Sequence, residues 1–279
     1  MNTTIYIPTR GRLKAQITWE SISPKWRERT RLVADYREAE ILREWGYPAL
    51  SCTEKGIGDT RQWILDGHKE GNVMMMDDDL GFAVRREDDP TKFRRMESHA
   101  EFDDMMERIE EMMNFVPLAG ISNRSGANRE TAPYRRNVRM HDCLIVNTQV
   151  AREQGFKINR IQFMEDFDFI LQHLTKGFPT LCLNSYVKDD MGGSNAAGGC
   201  SEYRDAVGQF DAAMELHLEF PEFVKMVERP GWNGMGTTRP DVRVQWAKSF
   251  AAGVRWRETE GLEQELEFDW DETGRLMLL

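Results

Sequence analysis

Cysteine is scarce and scattered. Cys52, Cys143, Cys182 and Cys200 are the only four in 279 residues and none forms a CxxC pair, which excludes a disulfide-stapled miniature, a zinc knuckle and a redox dithiol, and reduced thiols are expected. Long apolar runs are absent as well: nothing approaches the roughly 18 residues that a membrane-spanning helix needs, so no membrane integration is expected. The opening Met1-Asn2-Thr3-Thr4 passes straight into the strand-like Ile5-Tyr6-Ile7 without the basic and apolar regions of a signal peptide, which points to a cytoplasmic location. Positive charge is in deficit too. Lys and Arg number 37 against 47 Asp and Glu, a net charge of -10, which argues against indiscriminate coating of nucleic acid but leaves room for a local basic groove. Internal repeats and long low-complexity linkers are also lacking. What remains, with 40% hydrophobic residues, is a chain able to bury one sizeable core, as one large domain or one domain with a smaller appendage.

Short strands and helices alternate along the first two thirds. Ile5-Tyr6-Ile7-Pro8 is a β-prone run broken by Pro8 and followed by the polar turn Thr9-Arg10-Gly11-Arg12. Arg31 to Ala34 reads as a second strand, Arg37 to Trp45 as a helix stopped by Gly46 and Pro48, Ala49 to Ser51 as a strand, and Asp59 to His68 as a helix closed by Gly71. Val73-Met74-Met75-Met76 is continuously apolar, as expected of a strand covered on both faces. Between Glu101 and Val116, Phe102, Met105, Met106, Ile109, Met112, Met113 and Val116 recur at helical spacing and read as core. Leu118 to Ser122, Cys143 to Val146 and Leu181 to Leu183 read as further strands, and a helix opens at Glu165-Asp166 and ends before Gly177. This order predicts an α/β fold with a mainly parallel sheet over residues 1–190. Residues 191–279 are expected to be a mostly helical extension packed on that core, with a glycine-rich loop at Gly192 to Gly199, a helix over 202–228 and an acidic tail.

Three constellations bear chemistry. Asp77-Asp78-Asp79 follow an apolar strand, where carboxylates can hold Mg²⁺ or Mn²⁺ while the cation engages a diphosphate; a solvated turn or helix cap is the structural alternative. Glu165-Asp166 open a helix, where an acid either complements the helix dipole or serves as a general base toward a hydroxyl. Between Ser122 and His141, Arg124, Arg129, Arg135, Arg136 and Arg139 face a single acid, Glu130, with Asn123, Asn128, Tyr134 and Asn137 interleaved. Such a mixture suits phosphate contacts and base stacking, or else a loop whose arginines neutralise Asp77 to Asp79 or bind a diphosphate.

These motifs carry a resemblance. Ile5 to Arg12 resembles the opening strand and loop of a GT-A-fold glycosyltransferase, a Rossmann-like fold. The run from Gly58 through Arg61 to Asp79 resembles its helix, strand and DxD motif, and Asp142 to Val146, Gly155-Phe156, Met164 to Phe169 and Gly177-Phe178-Pro179 resemble its acceptor half with the "ED" motif. The resemblance implies a metal-dependent enzyme using a UDP-sugar or another nucleoside-diphosphate sugar. Pro8, Thr9, Arg10, Arg12 and Asp78 would lie near the nucleotide, Arg61 near the diphosphate, Asp77 by the ribose and metal, Asp79 on the Mn²⁺ or Mg²⁺ ion, and Asp166 or its neighbour Glu165 would be the base. The C-terminal metal-binding His of many such enzymes has no clear counterpart, His217 reading as a surface or packing residue. Gly192 to Gly199 with Tyr203-Arg204 would close over the phosphates or form a surface loop. The Ile-Pro-Thr-Arg-Gly-Arg opening and the Gly-Gly…Gly-Gly-Cys…Tyr-Arg stretch further resemble the phage TET-associated glycosyltransferases. That narrower likeness implies a bacteriophage protein working in the host cytoplasm and transferring sugar to 5-hydroxymethylcytosine in DNA, with the five arginines on the acceptor. A glycan or protein acceptor and a non-catalytic nucleic-acid-binding module are the rival expectations.

Overall fold

The computed structural model describes residues 3–191, 205–231, 236–262, 267–272 and 274–278. The chain opens with β1 (Thr3–Pro8), two short helices α1 (Ile17–Ser21) and α2 (Pro24–Arg27), then β2 (Thr30–Ala34), α3 (Tyr36–Glu44), β3 (Ala49–Ser51), α4 (Ile57–Gly67) and β4 (Asn72–Met76). A second stretch contains β5 (Leu80–Arg85), β6 (Phe93–Arg95), α5 (His99–Met112), β7 (Leu118–Asn123), α6 (Arg124–Ala127), β8 (Tyr134–Arg136), β9 (Cys143–Asn147), α7 (Thr148–Gln154), α8 (Glu165–Thr175) and the long β10 (Thr180–Asp190). These strands form one ten-stranded sheet in the order β3-β2-β1-β4-β9-β7-β10-β5-β6, with β8 also on β10. β1, β2, β3, β4, β6, β7 and β10 run one way and β5, β8 and β9 the other, so the sheet is mixed with most strands parallel in direction.

The apolar run of β4 is buried throughout because it sits between two helical layers. Met74 and Met76 join a core with Ile5, Ile7, Leu32 and the α5 stripe of Phe102, Met105, Met106, Ile109 and Met112. Val73 and Met75 point the opposite way, into a core with Ile64, Phe169 and Ile170 of α4 and α8. α5 is begun by a capping box, Ser98 and Glu101 each bonding the other's backbone N–H. Cys52, Cys143 and Cys182 are buried free thiols.

After β10 come α9 (Ala206–Glu219), β11 (Val224–Pro230), β12 (Thr238–Val244), α10 (Trp246–Thr259), β13 (Phe268–Trp270) and β14 (Leu276–Leu278). The helix expected over 202–228 ends at Glu219. Pro221 cannot supply the next helical N–H, and from Val224 the chain pairs antiparallel with β12, a partner that a local reading of the sequence does not reveal. The extension therefore holds two hairpins besides its two 14-residue helices. The glycine-rich loop and Tyr203-Arg204 lie outside the described residues. Phe268 and Leu276 enter the main core, so the acidic tail is anchored by its few apolar residues. Among the described residues no helix is long and apolar enough to cross a membrane.

α10 lies against α8 through bare backbone. A Cβ at Gly253 would stand 2.1 Å from the Leu174 carbonyl oxygen and 2.4 Å from the Gly177 nitrogen, neither of which can rotate away. Gly253→Ala should therefore destabilise the protein by about 1–3 kcal/mol, read as a lower urea midpoint, and an unchanged midpoint would show that the two helices separate freely.

Candidate active site

From β1 the chain moves outward to β2 and β3, then returns to place β4 on the other side of β1. Ligands of open α/β sheets lie outside the carboxyl ends of the strands at such a reversal. Pro8 ends β1 and Asp77 follows β4, so the first two motifs stand side by side there. The buried Thr9 donates its hydroxyl to Asp78 Oδ2 at 2.6 Å, and Arg12 donates to Asp78 Oδ1 at 2.7 Å and also to Asp79. Gln16 holds this loop by donating to the Thr9 hydroxyl and the Arg12 carbonyl. Thr18 braces the acidic turn: its hydroxyl donates to the Asp77 carbonyl at 2.5 Å and accepts from the Leu80 N–H at 2.8 Å. Arg10 is exposed at the rim.

Arg61, 3% exposed on α4, joins this turn to α8. One guanidinium nitrogen donates to Asp77 Oδ1 at 2.7 Å and another to Glu165 Oε1 at 3.0 Å. The next residue, Asp166, is also buried and accepts from Arg139 Nε at 2.7 Å, and the Arg139 guanidinium lies 4.0 Å from the centre of the Phe167 ring. Met164 occupies the N-cap position and makes no side-chain capping bond, so the two acids complement the helix dipole while also engaging arginines of other segments. Phe163, immediately before, holds a φ of 63°, a left-handed conformation rare for a bulky side chain and of the kind found where function imposes strain.

A second set of residues was only partly legible in the sequence. Asp142, with a φ of 59°, accepts the Asp77 N–H on its carbonyl at 2.8 Å. Its carboxylate accepts from Lys188 at 2.6 Å and meets His141 Nδ1 at the same oxygen. Lys188 is fully buried on β10, yet in sequence it reads as an ordinary charged residue of a strand end, and Thr18 carries no local signal either. Asp142 alone announces itself faintly, as the polar residue before an apolar strand.

The charges here do not balance. Burial pushes the Asp77 carboxyl well above the usual carboxylate range; Arg61 opposes this, and the neighbouring Asp142, Asp79 and Asp78 add to it. Asp78 and Asp79 are raised too, by burial first, with Thr9 and Arg12 opposing at Asp78 and Arg12 opposing at Asp79, where Asp190 adds to the rise. Despite its burial, Asp142 is held below the usual range by Lys188 and His141. Among the described residues no group of three or more His, Cys, Asp and Glu side chains is arranged as a complete metal site. Asp77 and Asp79 still fit a Mg²⁺ or Mn²⁺ ion, which is commonly held by one or two carboxylates and completed by water and substrate phosphate. The under-compensated acid cluster is the feature that favours it.

The five arginines expected on one loop are distributed over separate places. Arg139 is in the site. Arg124, on α6, pairs with Asp189 at 3.0 Å and donates to the Phe93 carbonyl. Arg136 lies over Phe268 and Trp270 and donates to the Phe268 carbonyl, which fixes the β13–β14 hairpin. Arg135 is half-buried beside it on β8, and Arg129 is exposed after α6. His217 bonds the Val224 carbonyl through Nδ1 at 2.8 Å, a packing role.

The family model for TET-associated glycosyltransferases matches residues 3–199, which spans the loop after β1, the acidic turn and the acids that open α8, and ends before Cys200 and Tyr203-Arg204. The chain belongs to the TET-associated glycosyltransferase family. Solved structures support the fold of this family member. It is similar to Staphylococcus aureus TarS 1-349 in complex with UDP-GlcNAc, with 15% identity, a TM-score of 0.50 and coverage of 78% of this chain and 67% of that one. Against the UDP complex of TarS 1-349 the identity is 12%, the TM-score 0.50 and the coverage 80% and 66%, so the chain spans about two thirds of that fragment. A mycobacterial protein gives 10% identity, a TM-score of 0.50 and coverage of 87% and 84%. No curated protein matches in sequence. The GT-A expectation and the observed sheet agree.

In this TET-associated glycosyltransferase Arg61 serves two acids at once, which a lysine's single ammonium cannot reproduce. Arg61→Lys should cost on the order of 1–3 kcal/mol of stability, read from the urea midpoint at unchanged slope. An unaltered midpoint would show that the bridge contributes nothing.

Proposed function

We propose that the protein transfers a sugar from a nucleoside-diphosphate sugar to the hydroxyl of 5-hydroxymethylcytosine in DNA. The observation that carries this is the Arg61 bridge, which ties Asp77 of the acidic turn to Glu165 of the ED pair within a chain of the TET-associated family, while Thr9 and Arg12 join the loop after β1 to the same turn. Residues 1–190 hold the donor and acceptor sites in this proposal, and 191–279 form an extension on them.

Pro8, Thr9, Arg10, Arg12 and Asp78 form the loop against which the nucleoside lies, with Asp77 toward the ribose. Asp77 and Asp79 would hold a Mg²⁺ or Mn²⁺ ion, which supplies charge neutralisation for the departing diphosphate. Arg61 stands beside the same phosphates. Asp166 takes the proton from the acceptor hydroxyl as the new oxygen–carbon bond forms at the anomeric centre and the bond to the diphosphate breaks. Arg139 orients Asp166 for that transfer by donating to its carboxylate at 2.7 Å. Glu165, tied to Arg61, fixes the position of α8 and with it the position of its neighbour.

Incubation with a panel of sugar nucleotides and hydroxymethylated DNA, followed by mass spectrometry of the released nucleosides, tests the reading. The wild type should add one sugar residue, the sugar less one water, to 5-hydroxymethyl-2′-deoxycytidine, and Asp166→Asn should lower turnover by roughly 10²–10⁴-fold while donor affinity stays within about twofold. Undiminished turnover would remove Asp166 as the base. Transfer to a glycan or protein with none to DNA would overturn the acceptor.

A further inference from the structure

β11 and β12 form a ribbon whose two faces differ sharply. Residues directly opposite in an antiparallel pair point to the same side, as do residues two apart along a strand. The register pairs Lys225 with Arg243, Val227 with Asp241 and Arg229 with Arg239, so one face carries four cations and one acid. The opposite face presents Val224 and Val242 to a core shared with Leu171, Ala213 and Leu216. Both cationic rungs set like charge against like charge, an arrangement that destabilises a sheet unless an anion compensates it. Asp241 meets part of that need, lying 2.6 Å from Arg239 and 4.0 Å from Arg229. Lys225 and Arg243 are exposed and make no ion pair among the described residues. In a chain of net charge -10 this concentration is a local reversal of sign.

The ribbon is also attached to the catalytic helix. Phe167, the residue after Asp166, belongs to the same core as Val242 and stacks on Trp246 at 5.9 Å. The Arg139 guanidinium covers the Phe167 ring, and Asp241, on the ribbon's cationic face, is close enough to act electrostatically on Arg139. Asp241 thus adjoins the Arg139–Asp166 pair, and Lys225 and Arg243 form the next rung along the same face of the ribbon. From Lys225 to Arg229 the strand rises about 13 Å at roughly 3.3 Å per residue, comparable with about four steps along a duplex axis at about 3.4 Å each.

We infer that the outer face of the β11–β12 ribbon, through Lys225, Arg229 and Arg243, holds the phosphate backbone of the acceptor nucleic acid beside Asp166. This rests on the DNA-acceptor reading and adds a surface that the arginines of residues 124–139 do not supply. The contacts are to phosphate, so they position the strand without reading its sequence.

The test compares the wild type with Lys225→Ala/Arg229→Ala/Arg243→Ala, using hydroxymethylcytosine-containing duplex and single-stranded oligonucleotides at several salt concentrations. Lys25→Ala/Arg29→Ala, on the α2 side, is the control. Each lost phosphate contact lowers the log–log salt slope by about 0.9, so the triple variant should lose about 2–3 in slope and raise the KM for DNA at least about tenfold. Its turnover at saturating DNA and its KM for the sugar nucleotide should stay as in the wild type, with the control unchanged throughout. Arg243→Glu alone, a smaller perturbation, should show the same direction and guards against a fold defect in the triple variant. If the wild type binds DNA with a steep salt slope and both ribbon variants keep it, the ribbon assignment is overturned and the acceptor reading stands. If the wild type itself neither binds nor modifies DNA, the acceptor reading fails and the ribbon proposal fails with it.

Discussion

Four carboxylates, those of Asp77, Asp78, Asp79 and Asp142, meet where β4 leaves the sheet, and the placement of Arg12, Arg61 and Lys188 follows from the need to hold them there. A buried charge is tolerated only when paired and hydrogen-bonded. Each of the three cations reaches the cluster from a different element: Arg12 from the loop after β1, Arg61 from α4 and Lys188 from β10. Electrostatic necessity thus draws the parallel half of the sheet, the helix that crosses beneath it and the long strand of the second half toward one point. The apolar strand behind the acids limits their contact with water, and burial holds the carboxyls of Asp77, Asp78 and Asp79 above the usual range against the opposing pull of Arg61 and Arg12.

Arg61 has a second consequence. Because it bonds Glu165 as well as Asp77, α8 cannot shift without disturbing the acidic turn. The backbone strain at Phe163 and the left-handed Asp142 fall on the two segments that must meet across the crevice, and the Gly253 contact fixes the far end of α8 against α10. The extension therefore contributes to the site by holding α8 from behind and by setting the basic ribbon beside its first turn.

Much of this was legible in the sequence where pattern and burial coincide. The apolar run of β4, the Met stripe of α5 and the acid pair opening α8 all read correctly because a strand or helix with a continuous apolar face has few other places to go. Asp77 to Asp79 and Thr9 could be placed at strand ends for the same reason. Lys188 could not, since nothing in a local window separates a buried lysine from a surface one. Arg61 was visible as a helix residue that the resemblance set toward a diphosphate, but its partner Glu165 lies far along the chain. Arg136 was assigned by composition to an acceptor loop, whereas aromatic residues of the C-terminal hairpin claim it. The ribbon was missed because its strands are defined by each other: Val224 to Pro230 adjoins a helix, and only the register with β12 lines its cations up.

The incomplete compensation of the acidic turn is the claim on which the proposed donor site stands. Calorimetric titration of UDP into the protein, once with Mn²⁺ and once with EDTA, tests it most directly. A cluster that needs cation and diphosphate together predicts binding about tenfold or more tighter with Mn²⁺ than in EDTA. Equal affinity under the two conditions would contradict it.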